Sequence, residues 1–336
     1  MKKTDTIAAL LAACFCTGAF AQSSATLFGT VDLGMTRLSN AGGSTTGMSH
    51  SNANISRFGF RGVEDLGGGL AAAFWLEAGY APDTGTGANG AAAMSFNRRA
   101  TVALQGSFGE LRLGRDDSAT FLNTLVFDPF LTNGVGGTNA FLMNGAPIQI
   151  SNAISYLTPG GLGGFYAQLQ HARDEDASRA GRYTGARLGW RQGPVHVSAA
   201  IGDLRGTTEA LDVRIRNAAV SYDFDVAQPM LLWASEKRGG VEIRALQLGV
   251  KVPVGAGEIR AQVSRYDNSA GNADWRKFAV GYGYNLSRRT QLYTTYARIS
   301  NKDNSLRSVT AQGLTPPTNT LGSSANGVEI GMRHFF

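Results

Sequence analysis

The sequence has few of the residues from which covalent or metal-centred sites are built. It contains two cysteines, Cys14 and Cys16, both near the amino terminus. Its four histidines stand singly, without the H-E-x-x-H or paired Cys/His spacings of zinc sites. No P-loop or calcium-loop motif occurs either. Because these residues and motifs are few, we expect a protein without a metal ion or other cofactor. The sequence also gives no support to an enzymatic function.

The amino terminus has the parts of a secretory signal peptide. Lys2 and Lys3 precede the apolar run "IAALLAACFCTGAF", which leads into an Ala-Phe-Ala site. This order predicts that residues 1–21 are removed and that residues 22–336 form the mature domain. Processing at Cys14, as in a lipoprotein, is the alternative. Removal of residues 1–21 would take away both cysteines, so we expect no disulfide.

The rest of the chain lacks any run of about 18 apolar residues, which argues against a membrane-spanning helix. It also lacks clustered charge. Without Lys2, Lys3 and Asp5 the chain has 29 basic and 24 acidic residues, a net charge of +5 that is scattered along its length. No basic helix or stripe offers a footprint for nucleic acid, so we expect none as a partner.

Glycine, by contrast, is abundant at 44 of 336 residues. Turn residues separate segments of about ten residues in which polar and apolar side chains alternate, a pattern typical of β-strands. Sixteen such segments run from 26–38 to 327–336. The connections between them alternate between short turns and longer polar loops such as 39–54 and 300–326. The pattern predicts an all-β fold, a transmembrane 16-stranded antiparallel β-barrel, with a soluble sandwich or open sheet as the alternative.

Charges recur on the strand face opposite the apolar one. Arg57 and Arg61 alternate with aromatic residues, Glu77 opposes an apolar set, and Arg99 opposes another. Such alternation suits a water-filled lumen inside a wall that meets lipid. Aromatic residues near strand ends, Trp75 among them, are expected to form interfacial girdles or subunit contacts.

Five motifs distributed from end to end of the mature chain are more specific than this general pattern. They are "TLFGTVDLG", "SRFGFRGVEDLGGGLAAAFWLE", "FNRRATVALQGSFGELRLGRD", "GYGYNLSRRTQLYTTYA" and "GVEIGMRHFF". Together they resemble the trimeric general diffusion porins of Gram-negative bacteria, most closely the beta-proteobacterial type. The resemblance implies a multi-pass homotrimer in the outer membrane, in contact with lipid and lipopolysaccharide, that passes small hydrophilic solutes and ions. It also implies that Phe336 resembles the signal read by the outer-membrane assembly machinery.

The third long loop, 116–149, corresponds to the loop that such porins fold into the lumen as a constriction. It is long, apolar and nearly uncharged, which by itself suggests a functional element. In the family, arginines of the wall face acids of this loop. The residues predicted to form the constriction are Arg57, Arg61, Arg98, Arg99, Glu77, Asp116, Asp117 and Asp128.

Three of these residues match wall positions of the family: Arg57, Arg61 and Arg99. Arg98 matches the motif but points outward by alternation, which favours a rim or subunit contact. Related anion-selective members carry a further arginine in the loop, whereas this chain has no Lys or Arg between Arg115 and Arg173. We therefore expect a basic constriction with a weak preference for anions.

Several alternatives stay open from the sequence. The wall arginines could pair with Glu64, Asp65 and Glu77 to hold the wall together. The channel could be specific for one substrate. A closed barrel could instead serve as an adhesion or structural protein, with loops such as 300–326 as its working surface.

Overall fold

The structure is a computed structural model that describes residues 24–88, 93–138, 145–173 and 181–336. The predicted signal peptide lies outside these residues. The strands of the first half are β1 Ser24–Asn40, β2 Gly43–His50, β3 Arg57–Gly67, β4 Leu70–Ala81, β5 Thr86–Gly87, β6 Arg99–Gly106, β7 Gly109–Asp117, β8 Gln149–Leu157 and β9 Phe165–Ala172. Those of the second half are β10 Tyr183–Gln192, β11 Val195–Leu204, β12 Val213–Tyr222, β13 Gln228–Arg238, β14 Val241–Val254, β15 Gly257–Asn268, β16 Trp275–Asn285, β17 Thr290–Asn301 and β18 Ala325–Phe335.

These strands form a closed antiparallel barrel. Each wall strand pairs with the next along the chain, and β18 pairs with β1 from Thr30↔Phe335 to Ser39↔Asn326. Strands β2 and β3 pair with successive halves of the same edge of β1 and so share one wall position. The two-residue β5 only extends the end of β4 as a short hairpin. The wall therefore has sixteen positions, and the predicted 16-stranded barrel is confirmed.

Strand alternation separates an outer apolar face from an inner one. On β17, Leu292 and Tyr296 are exposed on the outer face, while Tyr293, Thr295 and Ala297 are buried on the inner face. Successive side chains of a strand point to opposite faces, so one chain segment supplies both surfaces. The inner face carries many buried polar groups, as expected for a lumen that is partly filled by protein.

One end of the barrel has tight turns and the other has most of the long connections. In the turn between β3 and β4, Gly67, Gly68 and Gly69 have φ angles of +80°, +62° and +81°, a conformation that favours glycine. At the other end, the predicted loop 39–54 is wrong. Strand β1 continues to Asn40 and β2 returns from Gly43, because polar residues can extend a hairpin where neither face has to be apolar.

The connection 302–324 folds back over the barrel rim. Asn40 Nδ2 donates a hydrogen bond to the Pro317 carbonyl at 2.6 Å, and the His50 amide donates to the Gln312 carbonyl at 3.2 Å. Val309 is buried, with 2% of its surface exposed. This connection packs against the wall instead of standing clear of it, which weakens the interpretation as an adhesive surface.

Helical structure is sparse. Helix α1 spans Ala119–Val126, inside the predicted inward loop, and a 3₁₀ turn spans Glu209–Leu211. Within the described ranges, no helix is long and apolar enough to cross a membrane. The sequence did not predict α1.

Candidate pore constriction

The stretch 118–148 between β7 and β8 is here called the inward segment. The structure describes its residues 118–138 and 145–148, and these fold into the barrel. The segment opens with α1, whose cap Ser118 accepts a hydrogen bond at Oγ from the Phe121 amide at 3.1 Å. The helix lies against β9–β12. Asn123 Nδ2 donates to Asn217 Oδ1 on β12 at 2.8 Å, and Arg187 Nε on β10 donates to Asn123 Oδ1 at 3.1 Å. Buried polar contacts thus fasten the helix to the inner wall.

The inward segment then continues along the wall towards β18. Gln247 Nε2 on β14 donates to the Phe127 carbonyl at 3.3 Å, and the Val135 amide donates to Glu329 Oε2 on β18 at 3.0 Å. The Lys277 ammonium on β16 donates to another carbonyl of the segment. These contacts hold the segment against β14–β18 and leave the inner faces of β3, β4, β6 and β7 on the open side.

Asp128 organises a turn within the inward segment. Its carboxylate is buried and accepts hydrogen bonds from the amides of Phe130, Thr132 and Thr138 at 2.8, 2.9 and 2.7 Å. Burial raises the pKa of this carboxyl, while the backbone donors oppose that rise. The prediction of Asp128 as a pore acid is wrong, because its oxygens are committed to the backbone and closed off from the lumen.

Two wall glycines let the inward segment approach closely. A Cβ added at Gly249 on β14 would lie 2.7 Å from Pro129 Cδ, and one at Gly281 on β16 would lie 3.1 Å from Phe130 Cε1. Both distances are shorter than an ordinary carbon contact of about 3.5–4.0 Å. The absence of a side chain at each position therefore sets how near the segment lies to the wall.

The opposite inner wall carries the charged cluster. Arg57 Nε lies 3.6 Å from Glu77 Oε1, and Arg99 Nε lies 3.4 Å from Asp116 Oδ1. Arg112 on β7 also hydrogen-bonds to Asp116. Glu77 and Arg99 are direct cross-strand partners on β4 and β6. Bases and acids therefore interleave on this single wall.

Arg61 differs from its neighbours in this cluster. Its guanidinium carbon lies 5.1 Å from the centroid of Trp75 and 5.4 Å from that of Phe28. Arg99 covers Trp75 as well, at 4.5 Å. Within the described part of the chain, no ion pair joins Arg61 to a carboxylate, and its side chain is exposed. Cation–π contacts thus hold Arg61 in place while leaving its charge unneutralised.

Comparison with known proteins identifies the family. The family model for Gram-negative porins matches residues 7–304. The chain belongs to the Gram-negative porin family. It is 38% identical to outer membrane porin protein 32 of Delftia acidovorans, with all of both chains covered, and 29% identical to an outer membrane porin protein of Bordetella pertussis, covering 89% of this chain and 94% of that one. Among solved structures, an anion-selective porin from Comamonas acidovorans is 36% identical with a TM-score of 0.86, covering 94% of this chain and all of that one.

These findings make the porin an outer-membrane β-barrel through which solutes diffuse passively, a channel rather than an enzyme. Among the described residues no group of three or more His, Cys, Asp and Glu side chains could hold a metal ion. On the inner wall, His196 Nε2 lies 2.8 Å from the Tyr166 hydroxyl in a hydrogen bond, and the His196 ring packs against Phe127.

The alternation argument misplaced Arg98 of the porin. Arg98 Nε donates to Glu77 Oε1 at 2.7 Å, so the side chain points into the barrel and not outward. Arg98 precedes the first residue of β6, where strand alternation does not yet apply. A Cβ at Gly79 would lie 3.1 Å from Arg98 Cδ, so glycine there leaves a passage for this side chain.

Asp116 and Asp117 were predicted as acids of the inward loop, but both are the last residues of wall strand β7. A register shift between Gly114 and Asp116 lets β7 continue to this point. Asp117 accepts a hydrogen bond at Oδ1 from Gln149 Nε2 at 2.8 Å. The acids thus lie on the same wall as the arginines. Between Asp117 and Gln149 the sequence has one charged residue, Asp128, and its side chain is buried as described above.

Sequence reasoning missed three residues of the cluster: Glu110, Arg112 and Trp75. Arg112 Nη2 lies 2.6 Å from Glu110 Oε1, and both share the inner face of β7, as alternation along "GELRLGRDD" could have indicated. Trp75 was assigned to a girdle or subunit contact. Because it stands two residues before Glu77, it faces the lumen, where its Nε1 donates to Glu77 Oε2 at 3.1 Å.

Phe336 lies on the outer face, together with the exposed side chains of Val328, Ile330 and Met332. Its amide and carbonyl exchange 3.1 Å hydrogen bonds with Gly29 on β1, and its ring covers that glycine. The residue therefore completes the β1–β18 seam. Its role as an assembly signal stays a prediction.

Proposed function

We propose that this porin passes small hydrophilic solutes and ions with a weak preference for anions. The observation that carries the proposal is the asymmetry of the passage. One side is an arginine-rich wall with the unpaired Arg61, and the other is an inward segment whose single charged residue, Asp128, is buried. An ion that passes between them meets excess positive charge on one side and a neutral surface on the other.

The expected selectivity is weak because most of the wall arginines are paired. The cluster contains Arg57, Arg61, Arg98, Arg99 and Arg112 against Glu77, Glu110, Asp116 and Asp117. Five bases against four acids leave an excess of one positive charge. Low-dielectric walls strengthen the field of such an excess, whereas salt screens it over about 10 Å at 0.1 M ionic strength.

A second basic patch, near the short turns, also favours anions over cations. Lys251 and Arg260 are direct cross-strand partners on the inner face of β14 and β15, and Arg333 lies on the inner face of β18. Glu258 pairs with Arg260 at 2.7 Å. This patch adds positive charge along the ion path beyond the constriction.

We further propose that the protein works as a homotrimer, surrounded by outer-membrane lipid and lipopolysaccharide, after removal of residues 1–21. The trimer follows from the motifs that resemble trimeric porins. Chemical cross-linking of the native protein should trap a species of three chains, and amino-terminal sequencing should begin at Gln22. A purely monomeric protein would contradict the assembly, and a start at Cys14 would contradict the cleavage site.

Planar-bilayer recording under a tenfold potassium chloride gradient tests the proposed selectivity. We expect a reversal potential on the anion side that moves towards zero in Arg61→Gln. Arg37→Gln is the matched control, because Arg37 is exposed on the outer face of β1. A cation-side potential for the wild type would refute the anion preference. Saturable block of the current by one solute would indicate a substrate-specific channel, and absence of conductance would indicate a closed barrel.

A further inference from the structure

Between the charged cluster and the short turns, the inner wall becomes apolar. Val63 on β3, Ala73 on β4 and Ala103 on β6 lie side by side in one row, because Val63 pairs with Ala73 and Ala73 pairs with Ala103. Ala71 follows on the inner face of β4. The Val63 side chain is on the lumen side, yet 50% of its surface is exposed. The lumen of such a barrel is normally polar, and an exposed apolar patch often marks a binding site.

Longer side chains surround this patch and make it the floor of a recess of about 370 Å³, here called the apolar recess. Arg61 and Trp75 are cross-strand partners and bound the recess on the side of the constriction. Gln105 and Glu110 are cross-strand partners and bound it on the side of the short turns. The volume lies within the range of about 300–1,000 Å³ that is typical of sites for small molecules.

One positive charge at the edge of the apolar recess is not neutralised. Arg61 has no ion-pair partner among the residues that the structure describes, and its guanidinium is held by the ring of Trp75. Arg112, which also lines the recess, is paired with Glu110 at 2.6 Å. The Glu110 carboxylate accepts a further hydrogen bond from Gln105 Nε2 at 3.2 Å. The recess therefore has one free cation on one side and an acid that is already paired on the other.

An apolar floor beside one free guanidinium fits a carboxylate that is attached to a compact apolar body, such as a single aromatic ring. A guanidinium group binds a carboxylate through two parallel hydrogen bonds. Contact between the ring and the alanine floor removes apolar surface of both from water. A second carboxylate on the ligand would lie near Glu110 and be repelled. The recess therefore fits a monocarboxylate better than a dicarboxylate.

We propose that the apolar recess binds aromatic monocarboxylates as they pass through the channel, with the carboxylate at Arg61 and the ring against Ala73 and Ala103. Outer-membrane barrels have their short turns in the periplasm, so the site lies on the periplasmic side of the constriction. The recess adds affinity for one class of solutes and leaves the passage open to others. The proposal rests on the open passage of the proposed function, but not on its ion selectivity.

Block of the single-channel chloride current by benzoate in a planar bilayer tests the proposal. Benzoate should block saturably, with a dissociation constant at least about tenfold lower than that of acetate, the equivalent of about 1.4 kcal/mol. Succinate should bind no more tightly than acetate. Ala73→Leu fills the recess without a change of charge, and Arg61→Gln removes the partner of the carboxylate. Each variant should raise the dissociation constant of benzoate at least about tenfold.

Lys251→Gln is the matched control, because it removes one positive charge from the inner face of β14, outside the recess, and should bind benzoate as the wild type does. Ala73→Leu should keep the reversal potential in potassium chloride, which shows that it has folded. Equal affinities for benzoate and acetate would overturn the proposal, as would an equal loss in Lys251→Gln. Block by benzyl alcohol as strong as that by benzoate would overturn the role of Arg61. A cation-side reversal potential with intact benzoate block would refute the ion selectivity and support the recess.

Discussion

The contact between Pro129 and Gly249 predicts how the position of the inward segment controls conductance. In Gly249→Ala the new Cβ would lie 2.7 Å from Pro129 Cδ. Carbon atoms pack about 3.5–4.0 Å apart, so the proline has to retreat from β14 by about 1 Å. Retreat from β14 means movement towards the arginine-rich wall, which narrows the passage without any change in charge.

We therefore expect Gly249→Ala to lower the single-channel conductance and leave the reversal potential nearly unchanged. Overpacking of this kind costs about 1–3 kcal/mol, so thermal unfolding should occur at a lower temperature. Gly160→Ala is the matched control, because a Cβ there meets nothing within 4 Å. A higher conductance would mean that the segment detaches from the wall, and an unchanged conductance with normal stability would refute the close-approach argument.

Two further substitutions test the assignments of the acids. Glu77→Gln removes a carboxylate shared by Arg57 and Arg98, so bilayer recording should show the reversal potential moving further to the anion side; no movement would place these guanidinium groups outside the ion path. Asp128→Asn weakens a buried acceptor of three amides, which should lower the free energy of unfolding by about 1–3 kcal/mol with little effect on selectivity. A selectivity change as large as that of Glu77→Gln would contradict the burial of Asp128.

Period-two alternation predicted the barrel and the inner-face placement of Arg57, Arg61, Glu77 and Arg99. This worked because a strand with lipid on one side and a lumen on the other must keep apolar and polar side chains apart. The same rule failed for Arg98, which precedes β6 and takes its direction from the Glu77 carboxylate. Trp75 was also placed on the wrong face. Its apolar ring suggested the outer surface, although its position two residues before Glu77 indicates the inner one.

The inward segment was harder to predict beyond its general location. Asp128 is followed by Pro129, a combination typical of turns, and that signal could have marked its carboxylate as a backbone acceptor. Helix α1 is only eight residues long, so its stability depends on contacts with β9–β12 that are distant in sequence. The Ser118 cap was its one local sign.

The seam between β1 and β18 joins the part of the barrel made first to the part made last. Until β18 pairs with β1, from Gly29 and Phe336 to Ser39 and Asn326, the chain has two unpaired edges, and unpaired edges recruit other strands. Closure of the barrel therefore distinguishes a complete chain from one that lacks its last strand. A chain that ends early keeps both edges exposed, which marks it for aggregation or proteolysis, whereas a full-length chain withdraws them in a single last step.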